Sequence, residues 1–261
     1  MFYWIYDLPT WTVAFLFAFV FVAVSWFGAI FIRPFLRRLL RKQPDINNVV
    51  GYILSFFSVI YGLLLGMLAI VTYQNLSSTE QTVENEASAV AALYRDVSSY
   101  PDPARSELQN LLREYTRYVI EEAWPLQRKG IIATAGTDRI TAFQLKLMAF
   151  EPQTKGQELL HTEALREFNS LVGARRVRLY SVQSGIPPIM WYTIAVGSVV
   201  SLILIWMLDL RLIPSFLLGG LISFAMATMI CLIALMDNPF RGEISVSPQA
   251  FELVYDDLMK K

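Results

Sequence analysis

The side chains best placed for chemistry in this sequence are carboxylates at the ends of long apolar runs. Asp209 and Asp237 each close such a run, and Glu80, Glu84 and Glu86 follow another. A helix C-terminus is the negative end of the peptide dipole, so an aspartate there is disfavoured by roughly 0.3–1 kcal/mol unless a cation compensates. The nearest bases in sequence are Arg211 for Asp209 and Arg241 for Asp237, and these are the expected partners. Glu80 and Glu84 stand four apart and share one helix face. On one chain they and Glu86 read as a solvated face; repeated around a symmetry axis, they would form acidic rings at the mouth of a path for ions. The chemistry on offer is electrostatic rather than covalent.

Other chemistries lack their residues. A single histidine, His161, cannot supply a His-rich metal site or a His-centred triad of the usual kind. A single cysteine, Cys231, cannot form an internal disulfide and lies inside an apolar run. Neither a glycine-rich phosphate loop nor a GxSxG elbow occurs, and a formal net charge of zero gives nucleic acid nothing to bind. The sequence reads as a non-enzyme with no cofactor, no metal and no nucleic-acid partner.

The elements that must position these carboxylates are written in the composition. The 261 residues are 55% hydrophobic and 17% charged, with a mean hydropathy of +0.44. The charge is unevenly spread. Leu8 to Ile32, Ile46 to Thr79, Leu179 to Leu208 and Leu212 to Met236 contain no Asp, Glu, Lys or Arg. Each run reaches the ~20 apolar residues that a membrane-spanning helix needs. Spans are expected near residues 11–32, 49–73, 188–208 and 213–236. The first is read as a span rather than a cleaved leader, because Asp7 stands where a leader would carry basic residues. Trp4, Trp11, Trp191 and Tyr192 mark the interfaces as an aromatic belt would.

Between the second and third runs the chain has the composition of a water-soluble protein. No Gly or Pro interrupts Met67 to Tyr100, so the second span is expected to continue into an amphipathic helix bearing Val83, Ala87, Val90, Leu93 and Val97. Pro101 and Pro103 end it, and a second helix carries Leu108, Leu111, Leu112, Tyr115 and Val119 to a stop near Trp124–Pro125. Residues 130–138 read as a loop, and 140–148 and 157–182 as further helices. The expected fold is all-α, with four spans and a helical extramembrane domain inserted between the second and third. Its boundaries are 1–76 for the first hairpin, 77–186 for the domain, 187–236 for the second hairpin and 237–261 for a tail. Arg33, Arg37, Arg38, Arg41 and Lys42 in the first loop, with Arg211 in the third, place the 33–48 loop in the cytoplasm and 77–183 outside.

The second span carries a stripe of small or polar residues: Gly51, Ser55, Ser58, Gly62, Gly66, Ala69 and Tyr73. Such a stripe serves close helix packing or the wall of a narrow pore. No ionisable group lies deep in any span, which argues against a proton relay or ion-coupled transport. At the end of the fourth span, Pro239 stops the helix, Gly242 permits a positive φ, and Phe240 is expected at the interface. Asp237, Pro239, Arg241 and Gly242 together form an expected clamp on the C-terminal segment, with Asp237 beside the acidic mouth.

Several segments resemble the bestrophin-like domain family of mainly bacterial membrane proteins. They are Tyr61–Gly62 through Gly66 to Tyr73–Gln74–Asn75, Glu86–Ala87 with Ala92 through Asp96, Glu121–Glu122 with Trp124–Pro125, Arg175–Arg176 with Arg178–Leu179, and Asp237 through Glu243. The resemblance implies a relationship to bestrophins, pentameric anion channels with a neck on their second membrane helix. Here that helix has Phe56 and Phe57 without the neck's proline, and the acidic edges lean toward cations. The expected function is a homo-oligomeric ion channel of a bacterial cytoplasmic membrane, with the second span lining the pore and inorganic ions and the lipid bilayer as partners. The alternative is a non-conducting sensor or assembly protein that binds a protein partner through its helical domain.

Overall fold

The computed structural model describes residues 3–40 and 45–260, so Arg41 and Lys42 of the basic loop lie outside the described residues. Among the described residues the chain is helical with no strand. A 3₁₀ turn, Tyr3–Asp7, precedes α1 (Thr10–Phe31), α2 (Arg33–Leu40) and α3 (Ile46–Ser98). Next come α4 (Ala104–Tyr118), a π-helical turn (Val119–Ala123), α5 (Trp124–Gln127), α6 (Ala135–Met148) and α7 (Lys155–Ser181). The chain continues through α8 (Pro188–Met207), α9 (Leu212–Met236), α10 (Gln249–Val254) and a last π turn, Tyr255–Met259. Four helices, α1, α3, α8 and α9, are long and apolar enough to cross a membrane. At 53 residues, α3 is roughly 80 Å long.

The chain divides into two compact units. One comprises the described residues of Met1–Gln74 with Gly185–Asp237 and Gly242–Ile244; the other comprises Asn75–Ser184, Asn238–Arg241 and the described residues of Ser245–Lys261.

In the first unit, helices pack where a glycine meets an aromatic ring. A Cβ on Gly28 would stand 2.0 Å from the Trp206 ring, and one on Gly197 would stand 2.1 Å from the Tyr61 ring. Each ring then finds a hydrogen bond where water is scarce. The Trp206 indole donates to the Ser25 carbonyl at 3.0 Å, and the Tyr61 hydroxyl donates to the Ile194 carbonyl at 2.8 Å beside Ser198. Ser223, Ala227, Cys231 and Ala234 of α9 are buried, as small residues at a helix interface should be.

The structure departs from expectation in two segments. Residues 33–40 are helical rather than loop, because Arg33 is buried and donates to the Leu210 carbonyl. The 130–138 loop is shorter than expected, since α6 begins at Ala135. Gly136 weakens a helix by local propensity, but it brings the backbone against Tyr118, where a Cβ would stand 2.9 Å from the ring. The tertiary contact overrides the propensity.

Gly28→Ala and Gly197→Ala must each displace a ring, so each is expected to lower unfolding stability in detergent by about 1–3 kcal/mol. Gly62 has open space around it. Gly62→Ala is expected to leave the thermal midpoint unchanged or raise it. Equal losses for all three variants would contradict the packing described.

Candidate functional site

The side chain of α3 that faces its own subunit is apolar and buried: Tyr61, Leu65 and Leu68, followed by Thr72, whose hydroxyl donates to the Leu68 carbonyl at 3.0 Å. The predicted stripe lies on other positions. Ser55, Ser58, Gly62 and Tyr73 are exposed, and Gly66 and Ala69 are half-buried. Nothing stands within 4 Å of where a Cβ would lie on Gly51, Gly62 or Gly66. Within one chain Gly51, Gly62 and Gly66 therefore do not serve as close-packing points, whereas Ala69 packs on the Tyr61–Leu65–Leu68 cluster; the tight contacts fall to Gly28, Gly197 and their rings. The uncovered character of α3 is general. Only 17% of its apolar stretch is buried, close to the 22% of α1 and well below the 44% of α8 and 39% of α9.

Glu80 and Glu84 follow Tyr73 in α3 at seven and eleven residues and are exposed. Glu86 is not available for an acidic ring, which corrects the expectation for that residue. Its carboxylate is completely buried and accepts two hydrogen bonds from Arg178, from Nε at 2.6 Å and Nη2 at 3.0 Å. The Tyr115 hydroxyl donates to the same carboxylate at 2.6 Å, and Arg178 Nη1 donates to Gln127 at 2.7 Å. Burial alone would lower the Arg178 pKa, but the Glu86 charge and its hydrogen bonds outweigh that and push it up. Burial first, and the Glu86 charge second, raise the Tyr115 pKa. Around this group pack Trp124, Phe240 and Phe251, with the Arg178 guanidinium 5.8 Å from the Trp124 and Phe251 rings. From sequence, Arg178 stands only within a resembling segment, and Glu86 within another and as an acidic-ring candidate. An acidic residue at an otherwise apolar helix position, between Val83 and Ala87, was the signal that could have found the pair.

The acidic ends of the third and fourth spans resolve differently. Asp209 pairs with Arg37, Nε to Oδ1 at 2.8 Å, and not with Arg211 as expected. The helix α2 brings Arg37 across, a placement no spacing rule contains. Asp237 is buried; its carboxylate accepts the Ile186 backbone N–H and, at 3.3 Å, the Trp191 indole. Gly242 takes φ +83° and abuts Tyr6, while Glu243 accepts the Thr10 N–H at 2.9 Å. In the other unit Arg241 donates to the Lys129 carbonyl at 2.6 Å, and Pro239 accepts from the Val246 N–H at 2.8 Å. Phe240 is 1% exposed inside the helical core rather than at the interface, because Trp124 gives it a ring to pack on at 5.4 Å. Among the described residues no cluster of His, Cys, Asp and Glu could hold a metal.

Four long apolar helices joined to a helical unit closed by a buried ion pair define an all-α integral membrane protein. The sequence matches the bestrophin-like domain over residues 19–251, and the chain belongs to that family. Its fold is similar to crystal structures of a bacterial bestrophin homologue from Klebsiella pneumoniae. One has a TM-score of 0.67 at 12% identity and covers 95% of this chain and 98% of that one. A point variant of the homologue has a TM-score of 0.67 at 10% identity and covers 95% and 99%. At such identity the likeness is one of fold. No curated protein matches the sequence.

Glu86→Gln leaves Arg178 charged and buried without its counterion, so the helical unit is expected to lose about 3–5 kcal/mol. Limited proteolysis and thermal unfolding of the full chain in detergent read this directly, and Glu86→Leu combined with Arg178→Met should recover part of the loss. A second expectation concerns pH. His161 Nδ1 lies 2.7 Å from the Tyr100 hydroxyl, and burial lowers the His161 pKa; burial, with the Asp96 charge second, pushes Tyr100 up to about 12. The folded state thus prefers neutral His161. Its contribution is complete above the unfolded value of about 6.5 and is lost as pH falls through the lower folded value. His161→Gln should flatten the fall of the thermal midpoint between about pH 7 and 5.

Proposed function

We propose that this protein is a homo-oligomeric ion channel whose second membrane helix, α3, lines the pore. The observation that carries the reading is the uncovered face of α3: Ser55, Ser58, Gly62 and Tyr73 are exposed, and Gly66 and Ala69 lie half-buried at its edge. In a bilayer, small residues are where a helix tolerates close neighbours or a narrow aqueous wall. Four spans supply too few helices to surround a pathway within one subunit, so the face is completed by copies around an axis. Membership of the bestrophin-like family and the shared fold with a bacterial bestrophin homologue support the channel class.

Exposed Glu80 and Glu84 would stand as acidic rings beyond the pore helix and favour cations; Asp237, expected beside them, is buried and would not join that mouth. Asp237, Pro239, Arg241 and Gly242 would clamp the chain where it leaves α9. Placing the 33–48 segment in the cytoplasm and 77–183 outside, in a bacterial cytoplasmic membrane, follows from the basic side chains near α2. The same reading gives the chain no enzymatic role.

Purified protein in liposomes should conduct inorganic ions. Ser58→Trp or Gly62→Trp should reduce the unitary conductance at least about tenfold without dissociating the oligomer, since a large side chain obstructs a narrow wall. Glu80→Gln combined with Glu84→Gln should lower the cation-to-anion permeability ratio. Silence across pH, calcium and voltage, together with a stoichiometric protein retained on the helical unit, would favour the non-conducting reading instead.

A further inference from the structure

Where α2 meets the turn between α8 and α9, the first unit gathers more positive charge than it neutralises. Two side chains hold α2 there: Arg33 donates to the Leu210 carbonyl, and Arg37 Nε meets Asp209 Oδ1 at 2.8 Å. Asp209 also donates its N–H to Asn47 Oδ1 at 2.7 Å, which ties the turn to the start of α3. Four arginines, Arg33, Arg37, Arg38 and Arg211, stand in these segments against two acids, Asp45 and Asp209. Arg37 engages Asp209, whereas Arg38 and Arg211 are exposed and enter no ion pair among the described residues. Arg33 is 5% exposed, and its Nε is buried with no hydrogen-bond partner among the described residues. The turn also opens a helix. α9 starts at Leu212, directly after Arg211, and no side chain caps it, so its first amide groups and its positive dipole end are unanswered. Apolar side chains flank this positive edge. Leu36 of α2 packs toward Ala29, Leu202 and Trp206, while another side of the same helix exposes Phe35 and Leu39. Leu212 and Ile213 are exposed on α9.

We propose that α2 and the α8–α9 turn form a binding site for an anionic phospholipid. Arg38, Arg211 and the start of α9 hold its phosphate, and its acyl chains lie against Phe35, Leu39 and the apolar first turn of α9. A guanidinium meets phosphate with two parallel hydrogen bonds, and a helix N-terminus adds amide donors of the same polarity. Arg33 acts through position and field: buried, it fastens α2 to the turn and adds a charge that the site's carboxylates do not balance. A short helix with one edge packed on its own protein and bulky apolar side chains beside arginines is built to lie at a membrane surface. That combination selects the ligand. A free phosphate would use the arginines but leave the apolar side chains uncovered. A zwitterionic lipid would bring a second, positive group into a positive site. An anionic lipid answers both features. Its binding does not depend on whether the protein conducts.

Native mass spectrometry of the full chain in nonionic detergent, titrated with dioleoylphosphatidylglycerol or dioleoylphosphatidylcholine, counts the lipid retained. Phosphatidylglycerol should saturate at one per chain, at a concentration at least about tenfold below that needed for phosphatidylcholine. Arg38→Gln combined with Arg211→Gln should erase that preference, and Arg38→Lys with Arg211→Lys should keep part of it. Both side chains are exposed, so neither pair should move the thermal midpoint of the lipid-free protein by more than a few degrees. Arg95→Gln with Arg176→Gln removes the same charge from exposed positions of the other unit and should leave the preference intact. Inorganic phosphate in large excess should not displace the lipid. Equal retention of the two lipids would overturn the proposal, as would a preference that survives the Arg38 and Arg211 glutamine pair or is lost as readily with the Arg95 and Arg176 pair. Displacement of phosphatidylglycerol by inorganic phosphate would identify a free anion as the ligand and overturn the lipid assignment.

Discussion

Glu86 and Arg178 are 92 residues apart in the chain, and both are removed from water. Burying either charge alone costs several kcal/mol, so each is tolerable only where the other meets it with good geometry. That requirement fixes the relation of α3 to α7. Tyr115 on α4 and Gln127 at the end of α5 take up remaining hydrogen-bonding capacity, which draws two more elements to the same point. The apolar core of the helical unit then has little freedom: Leu93, Leu112, Phe143 and Leu171 are fully buried around a polar centre that admits one arrangement. The C-terminal segment closes it, with Phe240 and Phe251 against Trp124 and the Arg113 guanidinium donating to the Met259 carbonyl at 2.7 Å.

The membrane unit is ordered by a different constraint. Lipid offers no hydrophobic drive for helix association, so close contact depends on shape and on hydrogen bonds shielded from water. Glycine under tryptophan and glycine under tyrosine supply the shape, and the Ser25 and Ile194 carbonyls supply the hydrogen bonds. Gly51, Gly62 and Gly66 of α3 take no part in this within one chain. Uncovered small residues on one helix and interlocked ones on its neighbours are what distinguish a face that awaits another subunit from one already packed, and the proposed pore rests on that difference. The charged edges follow the same economy of partners. Arg37 reaches Asp209, and the Asp237 carboxylate accepts the Ile186 N–H and the Trp191 indole.

Much of this was determined by the sequence alone. Charge-free runs of sufficient length become helices because a chain in lipid must satisfy its backbone internally, and the absence of Gly and Pro from 67 to 100 lets α3 run unbroken to Ser98. The apolar repeat of Val83, Ala87, Val90, Leu93 and Val97 is the buried face of that helix, since a 3.6-residue period leaves no other. Local pattern could not say which of many small residues would be covered, because Gly62 and Gly197 are alike until a Tyr61 ring settles on one of them. Nor could it pair charges distant in sequence. Arg211 was the nearest base to Asp209, yet the fold delivered Arg37; Glu86 looked like its neighbours Glu80 and Glu84, yet the fold enclosed it with Arg178. Periodicity is a property of one helix, whereas coverage and charge pairing are properties of two, and only the tertiary structure brings the second helix into place.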